Sequence, residues 1–504
     1  MVLSASVDRA FFLRNSKIIE GMVFMAKKEK VVIGDQGIHD ASVLGKPRML
    51  VLGIQHTFAM FGATVLVPLL TGLDVATTLL MAGLGTLFFH LVTKGKVPAF
   101  LGSSFAFLGG YAAIAPYLDK NGNVWVEGAG DKVANAEMLP YACLGVAVAG
   151  LIYLIFSLLI KVVGITKVMK FFPPVVTGPI IIAIGLSLAG SAVNNCKACW
   201  PLALVALAIV IIFNIWGKGM SKIIPILLGV VGSYLVAVIF GNGFGYEPMA
   251  VNFTKVQTII SNIAEGNIYG PQGLFYLPIV KESTVLGVDW SESSKVVSSI
   301  IAIAPIALAT MMEHIGDISA IGATCGRNFI AEPGLHKTLI GDGVATTLAS
   351  LVGAPANTTY GENTGVLALS KVYDPKVVRI AAFFAVGISF FPIVSAIISS
   401  IPTAIIGGIS FILYGMISGI GVRNVVENKV DFSKSRNLIV AAVILVCALG
   451  LGSVSFTIGK VGITLTALAV AAIAGILLNA ILPGNDYVFE AETYDNAKKS
   501  KGDK

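Results

Sequence analysis

Four carboxylates interrupt the apolar stretches of this chain: Glu313, Asp317, Asp342 and Glu362. The chain has 28 Asp and Glu, and as the spans are drawn below the others fall outside the apolar runs, while no Lys or Arg lies in the interior of one. An ionisable side chain at membrane depth is costly, so it is a functional hypothesis by default. Acceptors without neighbouring cations suit ligands that donate hydrogen bonds, or cations including protons, and they reject anions. Glu362 sits in Ala354-Pro355-Ala356-Asn357-Thr358-Thr359-Tyr360-Gly361-Glu362-Asn363-Thr364-Gly365, between the apolar runs Gly343–Val352 and Val366–Leu369. A backbone this irregular is tolerated at such depth only where it is buried in protein or lines a cavity. Glu313 and Asp317 stand four residues apart and share one helix face, while His314 points roughly 100° away. Two carboxylates on one face in a low dielectric repel, so the pair is expected to hold a proton near neutral pH. Asp342 is expected to cap a helix or to bond a neighbouring backbone.

The elements that must position these groups are membrane spans. The chain is 56% hydrophobic and 12% charged, with mean hydropathy +0.86, whereas soluble domains carry roughly 25% charged residues. About 20 apolar residues cross the hydrocarbon, and about fourteen runs approach that length. They are Met49–Leu70, Ala76–Val92, Ala99–Pro116, Ala142–Val163, Val175–Ala192, Leu202–Trp216, Ile223–Phe240, Val296–Ala323, Leu339–Val352, Ala356–Leu369, Val378–Ile398, Ala404–Ile420, Leu438–Gly450 and Val461–Leu482. Threaded with the N-terminus inside, the inner loops carry 16 Lys and Arg against 7 in the outer loops, apart from the two terminal segments. The positive-inside rule therefore predicts cytoplasmic N- and C-termini. The net charge of +7 belongs to those loops and implies anionic lipid as a partner, not nucleic acid.

Residues 1–47 are polar and carry no apolar core followed by a cleavage site, so no signal peptide is read there, and Met1, Met22 or Met25 could be the start. Pro98-Ala99-Phe100-Leu101-Gly102-Ser103-Ser104-Phe105 interrupts the third run as Ala354–Gly365 interrupts the tenth. Paired interruptions at corresponding places in two halves are the mark of an inverted-repeat transporter. Residues 48–241 and 296–482 are the expected repeats, residues 242–295 a connector on the outer side, and residues 483–504 a tail. Cys196 and Cys199 form a CxxC, too few ligands for a closed zinc site; a disulfide or two free thiols are both open.

At these motifs the chain resembles the nucleobase–ascorbate transporters, also called nucleobase:cation symporters, and within them the bacterial uracil-permease branch. The anchors are Gln55–Pro68, Pro98–Phe107, Glu313-His314-Ile315-Gly316 and Asn357-Thr358-Thr359-Tyr360-Gly361-Glu362-Asn363, and the resemblance runs from about Arg48 to the last span. It implies an all-α polytopic fold of fourteen spans in two inverted seven-span repeats, with short antiparallel strands in the third and tenth spans. Spans one to four and eight to eleven would form a core domain and the rest a gate domain. It also implies a pyrimidine site of Glu313, Glu362, Phe105, Gly361, Tyr360, Tyr414 and Ala63, with Glu362, Glu313 and Asp317 carrying the coupled proton. The expected activity is proton-coupled import of uracil across the cytoplasmic membrane, without enzymatic chemistry or cofactor, by a chain that could pair as a homodimer. One departure stands out: the uracil branch carries histidine where this chain has Asp317, which leaves the coupling cation and pH dependence open. The nearest rival is a xanthine or purine permease of the same family. From another class, an intramembrane aspartyl protease using Asp317 and Asp342 would need glycine where Leu339 stands.

Overall fold

The computed structural model describes residues 37–125, 133–280, 283–458 and 461–484. The helices are α1 (Lys46–Thr71), α2 (Val75–Val92), α3 (Leu108–Ile114), α4 (Leu139–Val163), α5 (Pro174–Ser187), α6 (Ala189–Cys196), α7 (Trp200–Trp216), α8 (Pro225–Ala237), α9 (Thr254–Ala264), α10 (Ser293–Ile303), α11 (Ile306–Cys325), α12 (Leu335–Leu351), α13 (Gly361–Ser370), α14 (Pro375–Ser389), α15 (Pro392–Ser399), α16 (Thr403–Glu427), α17 (Ser435–Gly450) and α18 (Ala467–Ile481), with a few shorter turns between them. Strands β1 (Leu101–Ser103) and β2 (Asn357–Thr359) pair with each other, and β3 (Ser453–Ile458) with β4 (Val461–Thr466). Among the described residues, seven helical stretches are long and apolar enough to cross a membrane singly, or up to eight if α14 and α15, bent by 88° at their junction, are one span.

Proline explains most of the breaks. Pro305 parts α10 from α11, and Pro392 opens α15 where the chain turns sharply from α14. Each lacks an amide donor and clashes with the preceding turn, so a helix bends or restarts there. The last apolar run departs from expectation: its first residues are not helix but the hairpin β3–β4, and α18 begins only at Ala467. Ser-Val-Ser-Phe-Thr-Ile and Val-Gly-Ile-Thr-Leu-Thr are rich in β-branched residues, a pattern that fits a pleat better than a helix. Residues 242–295 contain the amphipathic helix α9.

The helices pack in two groups. In one, α12 lies against α4 and α2, α14 against α2 and α1, and α10 against α4; in the other, α16 lies against α5, α6 and α7, and α17 against α5 and α18. Small residues allow the closest crossings, as is usual where lipid supplies no hydrophobic force between helices. A Cβ on Gly150 of α4 would stand 2.7 Å from the carbonyl oxygen of Gly343 on α12, and one on Gly343 would stand 2.8 Å from that of Gly150. The two backbones touch there, and any side chain on either would wedge α12 away from α4.

Candidate functional site

β1 and β2 meet antiparallel, with Leu101 opposite Thr359, Gly102 opposite Thr358 and Ser103 opposite Asn357. Two more backbone bonds extend the ladder, Tyr360 N–H to Phe100 O at 2.9 Å and Ser104 N–H to Ala356 O at 3.0 Å. A two-stranded sheet leaves one edge of each strand unpaired, which is untenable in a buried setting. Neighbouring helices supply the missing partners. On β1, Thr86 of α2 accepts from Leu101 N–H at 2.9 Å, and His90 Nε2 is 2.9 Å from Ala99 O. On β2, Thr346 of α12 donates to Asn357 O at 3.0 Å, and Asp342 accepts from Thr359 N–H at 3.2 Å.

That last contact belongs to a buried network. His314 Nδ1 lies 2.7 Å from Asp342 Oδ2, and both side chains are fully buried. Thr359 Oγ1 donates to the same Oδ2 at 2.9 Å and approaches Nδ1 at 2.5 Å. On the other side of the ring Nε2 is 2.9 Å from Thr338 Oγ1, whose own proton goes to Leu335 O at 3.0 Å. Thr338 therefore accepts, and Nε2 carries a hydrogen. A proton must also lie between Nδ1 and Oδ2, because two bare acceptors would repel at that distance. The pair is thus neutral as a whole and ties α11, α12 and β2 together. Asp342 does bond a neighbouring backbone, as its position in the sequence suggested; its partnership with His314 was not foreseen.

Both strands run directly into short helices. β1 leads through Phe105–Phe107 into α3, and β2 leads through Tyr360 into α13. The Tyr360 hydroxyl donates to Ser103 O at 2.8 Å and lies 3.3 Å from Thr64 Oγ1 of α1, so one side chain joins three elements. Its ring covers Gly102, where a Cβ would stand 2.6 Å from the ring carbons. Gly361 opens α13, and Asp317 Oδ1 lies 3.0 Å from the point its Cβ would occupy. A carboxylate at this end of a helix is favoured by the unpaired amides and the dipole. Asp317 is buried against α13 and does not sit hydrated at a mouth of the bundle.

Phe105 and Tyr414 meet edge to face, with ring centroids 5.8 Å apart at 78°, where the β1–α3 junction faces α16. Both rings are buried. Glu313 lies on α11 beside the His314 network and is partly exposed. The side chains of Glu362 and Ala63 lie outside the described part of the structure; their backbones are in α13 and α1. The structure thus brings Tyr360 and Gly361 together with Asp317, and Phe105 together with Tyr414. Three further groups escaped the sequence reading as site residues: Ser104 Oγ, both amide atoms of Asn363 and Thr364 Oγ1 are buried at the two strand–helix junctions without a protein partner. Buried polar atoms are rarely left so, and here they flank the sequence-predicted site. Among the described residues no group of three or more His, Cys, Asp and Glu could hold a metal ion. Cys196 and Cys199 are buried free thiols.

The sequence model of the permease family matches residues 47–457. A uracil permease of Bacillus subtilis (strain 168) is 39% identical over 444 residues, covering 85% of this chain and 91% of the relative. A putative pyrimidine permease, RutG, of Escherichia coli (strain K12) is 36% identical over 436 residues, covering 86% and 89%. Among solved structures, the transmembrane domain of the cyanobacterial bicarbonate transporter BicA superposes with TM-score 0.53 at 15% identity, over 87% of this chain and 99% of that one. SLC26A9 superposes with TM-score 0.58 at 13% identity, over 86% of this chain and 64% of that one. These two likenesses bear on the fold alone.

Proposed function

This chain belongs to the permease family, and from that premise we propose that it imports uracil across the cytoplasmic membrane in symport with protons. The observation that carries the reading is the convergence of Tyr360, Gly361 and Asp317 at the start of α13, near the aromatic pair Phe105 and Tyr414. Uracil offers two N–H donors and two carbonyl acceptors on a flat ring. Carboxylates of Glu313 and Glu362 take the donors, the amide of Gly361 at the start of α13 serves a carbonyl, and Phe105, edge to face with Tyr414, packs against the ring. The names of the related uracil permeases support the same substrate. Asp317 at the N-terminus of α13 argues against an anionic substrate, since like charges there would repel.

In this reading fourteen spans form two inverted repeats, residues 48–241 and 296–482, with both termini cytoplasmic and a homodimer as the assembly. The group containing α1–α4 and α10–α15 moves as a core against a gate formed by the α5–α8 and α16–α18 group. Protonation of Glu362, or of the Glu313–Asp317 pair, from outside lets the loaded core pass the gate, and deprotonation inside releases uracil. The test is uptake of labelled uracil in cells lacking their own permease, with a protonophore and with excess xanthine. Uptake abolished by the protonophore, resistant to xanthine and lost in Glu362→Gln is the expected result. Absence of uptake by well-expressed protein overturns the substrate, and inhibition by xanthine moves the chain to the purine branch.

A further inference from the structure

A polar cleft lies away from the strand pair, at the end of the bundle where α5 and α17 begin and α16 ends. It has a volume of about 200 Å³ and is lined by Pro173 to Val175 on one side and by residues from Asn428 to Asn437 on the other. Among the described residues that line it, three are cations, Lys429, Lys434 and Arg436, and one is an acid, Asp431. That acid is already engaged: its carboxylate accepts from Ser433 N–H at 2.9 Å and from Ser433 Oγ at 2.6 Å, and these bonds lower its pKa. Arg436 is oriented by neutral acceptors. Its Nη2 donates to Asn479 O at 2.8 Å and Asn479 Oδ1 at 2.9 Å, and its Nη1 to Asn437 Oδ1 at 3.4 Å. Its Nε is buried with no partner.

The backbone adds to the same field. α17 starts at the cleft with no side chain capping its first amides, whereas α5 opens on Pro173 and Pro174, which carry no amide hydrogen, and its amides at Val176 and Thr177 already bond Pro173 O. The uncapped first turn of α17, beside the three cations of the lining, suits an acceptor with several oxygens. At the end of α16, Lys429 holds φ +50°, a conformation that usually selects glycine. The lining therefore keeps a cation where the backbone alone would favour a residue without a side chain. One turn along α17, Leu438 and Ile439 are exposed, as is Phe171 before α5, so an apolar surface adjoins the cationic cleft.

We propose that this cleft binds a phosphate group, and that its occupant is the headgroup of an anionic phospholipid whose acyl chains lie along α17. Basic pockets between membrane helices are suited to such headgroups. The test uses the full chain in nanodiscs of phosphatidylcholine alone, of phosphatidylcholine with phosphatidylglycerol, and of phosphatidylcholine with millimolar inorganic phosphate. Native mass spectrometry counts retained lipid, and a thermal midpoint reports stabilisation. Retention of phosphatidylglycerol over phosphatidylcholine is expected, weakened roughly fivefold for each lysine removed in Lys429→Gln and Lys434→Gln. Arg436→Lys should retain more lipid than Arg436→Gln. Unchanged uracil binding by the lysine variants certifies that they are folded. Equal retention of both lipids, or full retention of phosphatidylglycerol by the double lysine variant, overturns the site. Stabilisation by inorganic phosphate without preference for phosphatidylglycerol keeps the phosphate chemistry and overturns the lipid as its source.

Discussion

Replacing Asp342 by alanine should unseat β2 without touching the substrate pocket directly. Its Oδ2 accepts from Thr359 N–H at 3.2 Å and Thr359 Oγ1 at 2.9 Å, and shares a proton with His314 Nδ1 at 2.7 Å. Alanine strands all three in a site that excludes solvent. Breaking one side of a buried pair costs about 3–5 kcal/mol, and an orphaned buried amide about 1–3 kcal/mol. The contributions overlap, so about 3–5 kcal/mol is the working figure, a factor of roughly 10²–10⁴ in the population with β2 docked. Asp342→Asn keeps an acceptor for Thr359 but loses the charge-assisted bond, so about 1.5–3 kcal/mol is expected. Thr359→Val keeps the amide bond and should cost about 1 kcal/mol. The assay is thermal unfolding in nanodiscs together with equilibrium binding of labelled uracil. The ranking should be Asp342→Ala, then Asp342→Asn, then Thr359→Val. A double replacement of His314 and Asp342 by leucine should cost less than the sum of the single replacements, because neither member of the pair is then left buried without the other, although the Thr359 N–H stays unpaired. Additivity, or a loss under about 1 kcal/mol for Asp342→Ala, refutes the network as the anchor of β2.

Three further outcomes follow from the geometry. Tyr360→Phe removes the hydroxyl that serves Ser103 O and adjoins Thr64; about 1–3 kcal/mol of stability should go, and uracil binding should weaken with it in the same titration. Gly102→Ala puts a Cβ 2.6 Å from the Tyr360 ring, so overpacking of about 1–3 kcal/mol and loss of uptake at normal expression are expected. The segment before α1 is strapped to the α13–α14 loop by Ile38 N–H to Lys371 O, Tyr373 N–H to Ile38 O and an Asp40–Lys376 ion pair. The Lys376 hydrogen bond is the first cause lowering the Asp40 pKa to about 2, and the Asp40 bond raises that of Lys376 above 10.5. The carboxylate's contribution is therefore complete above about pH 4 and lost as pH falls through about 2, while that of the ammonium is lost only above its raised value. Amide exchange at Ala41 and Tyr373, corrected for intrinsic rates, should stay flat from about pH 5 to 9 and rise with salt, since the pair is exposed; a change across neutrality would contradict this.

Much of this protein is legible along the chain because the physics involved is local. Length and hydropathy of the apolar runs required membrane helices, and the irregular stretches around Ser103 and Thr359 had to be buried because lipid satisfies no backbone group. The isolated carboxylates stood out for the same reason. Asp317 at the start of α13, the register in which β1 closes on β2 across some 250 residues, and the union of His314 with Asp342 and Thr359 were decided only by tertiary structure. Helical periodicity gives the direction of His314 relative to Glu313, but not which neighbouring helix fills that direction. The apolar run near Val461 shows the converse limit: hydropathy alone does not separate a pleated hairpin from a helix, and the β-branched residues that favour the pleat are a separate signal. A sequence records what each residue can donate, accept or bury; the fold decides which distant partner is there to meet it.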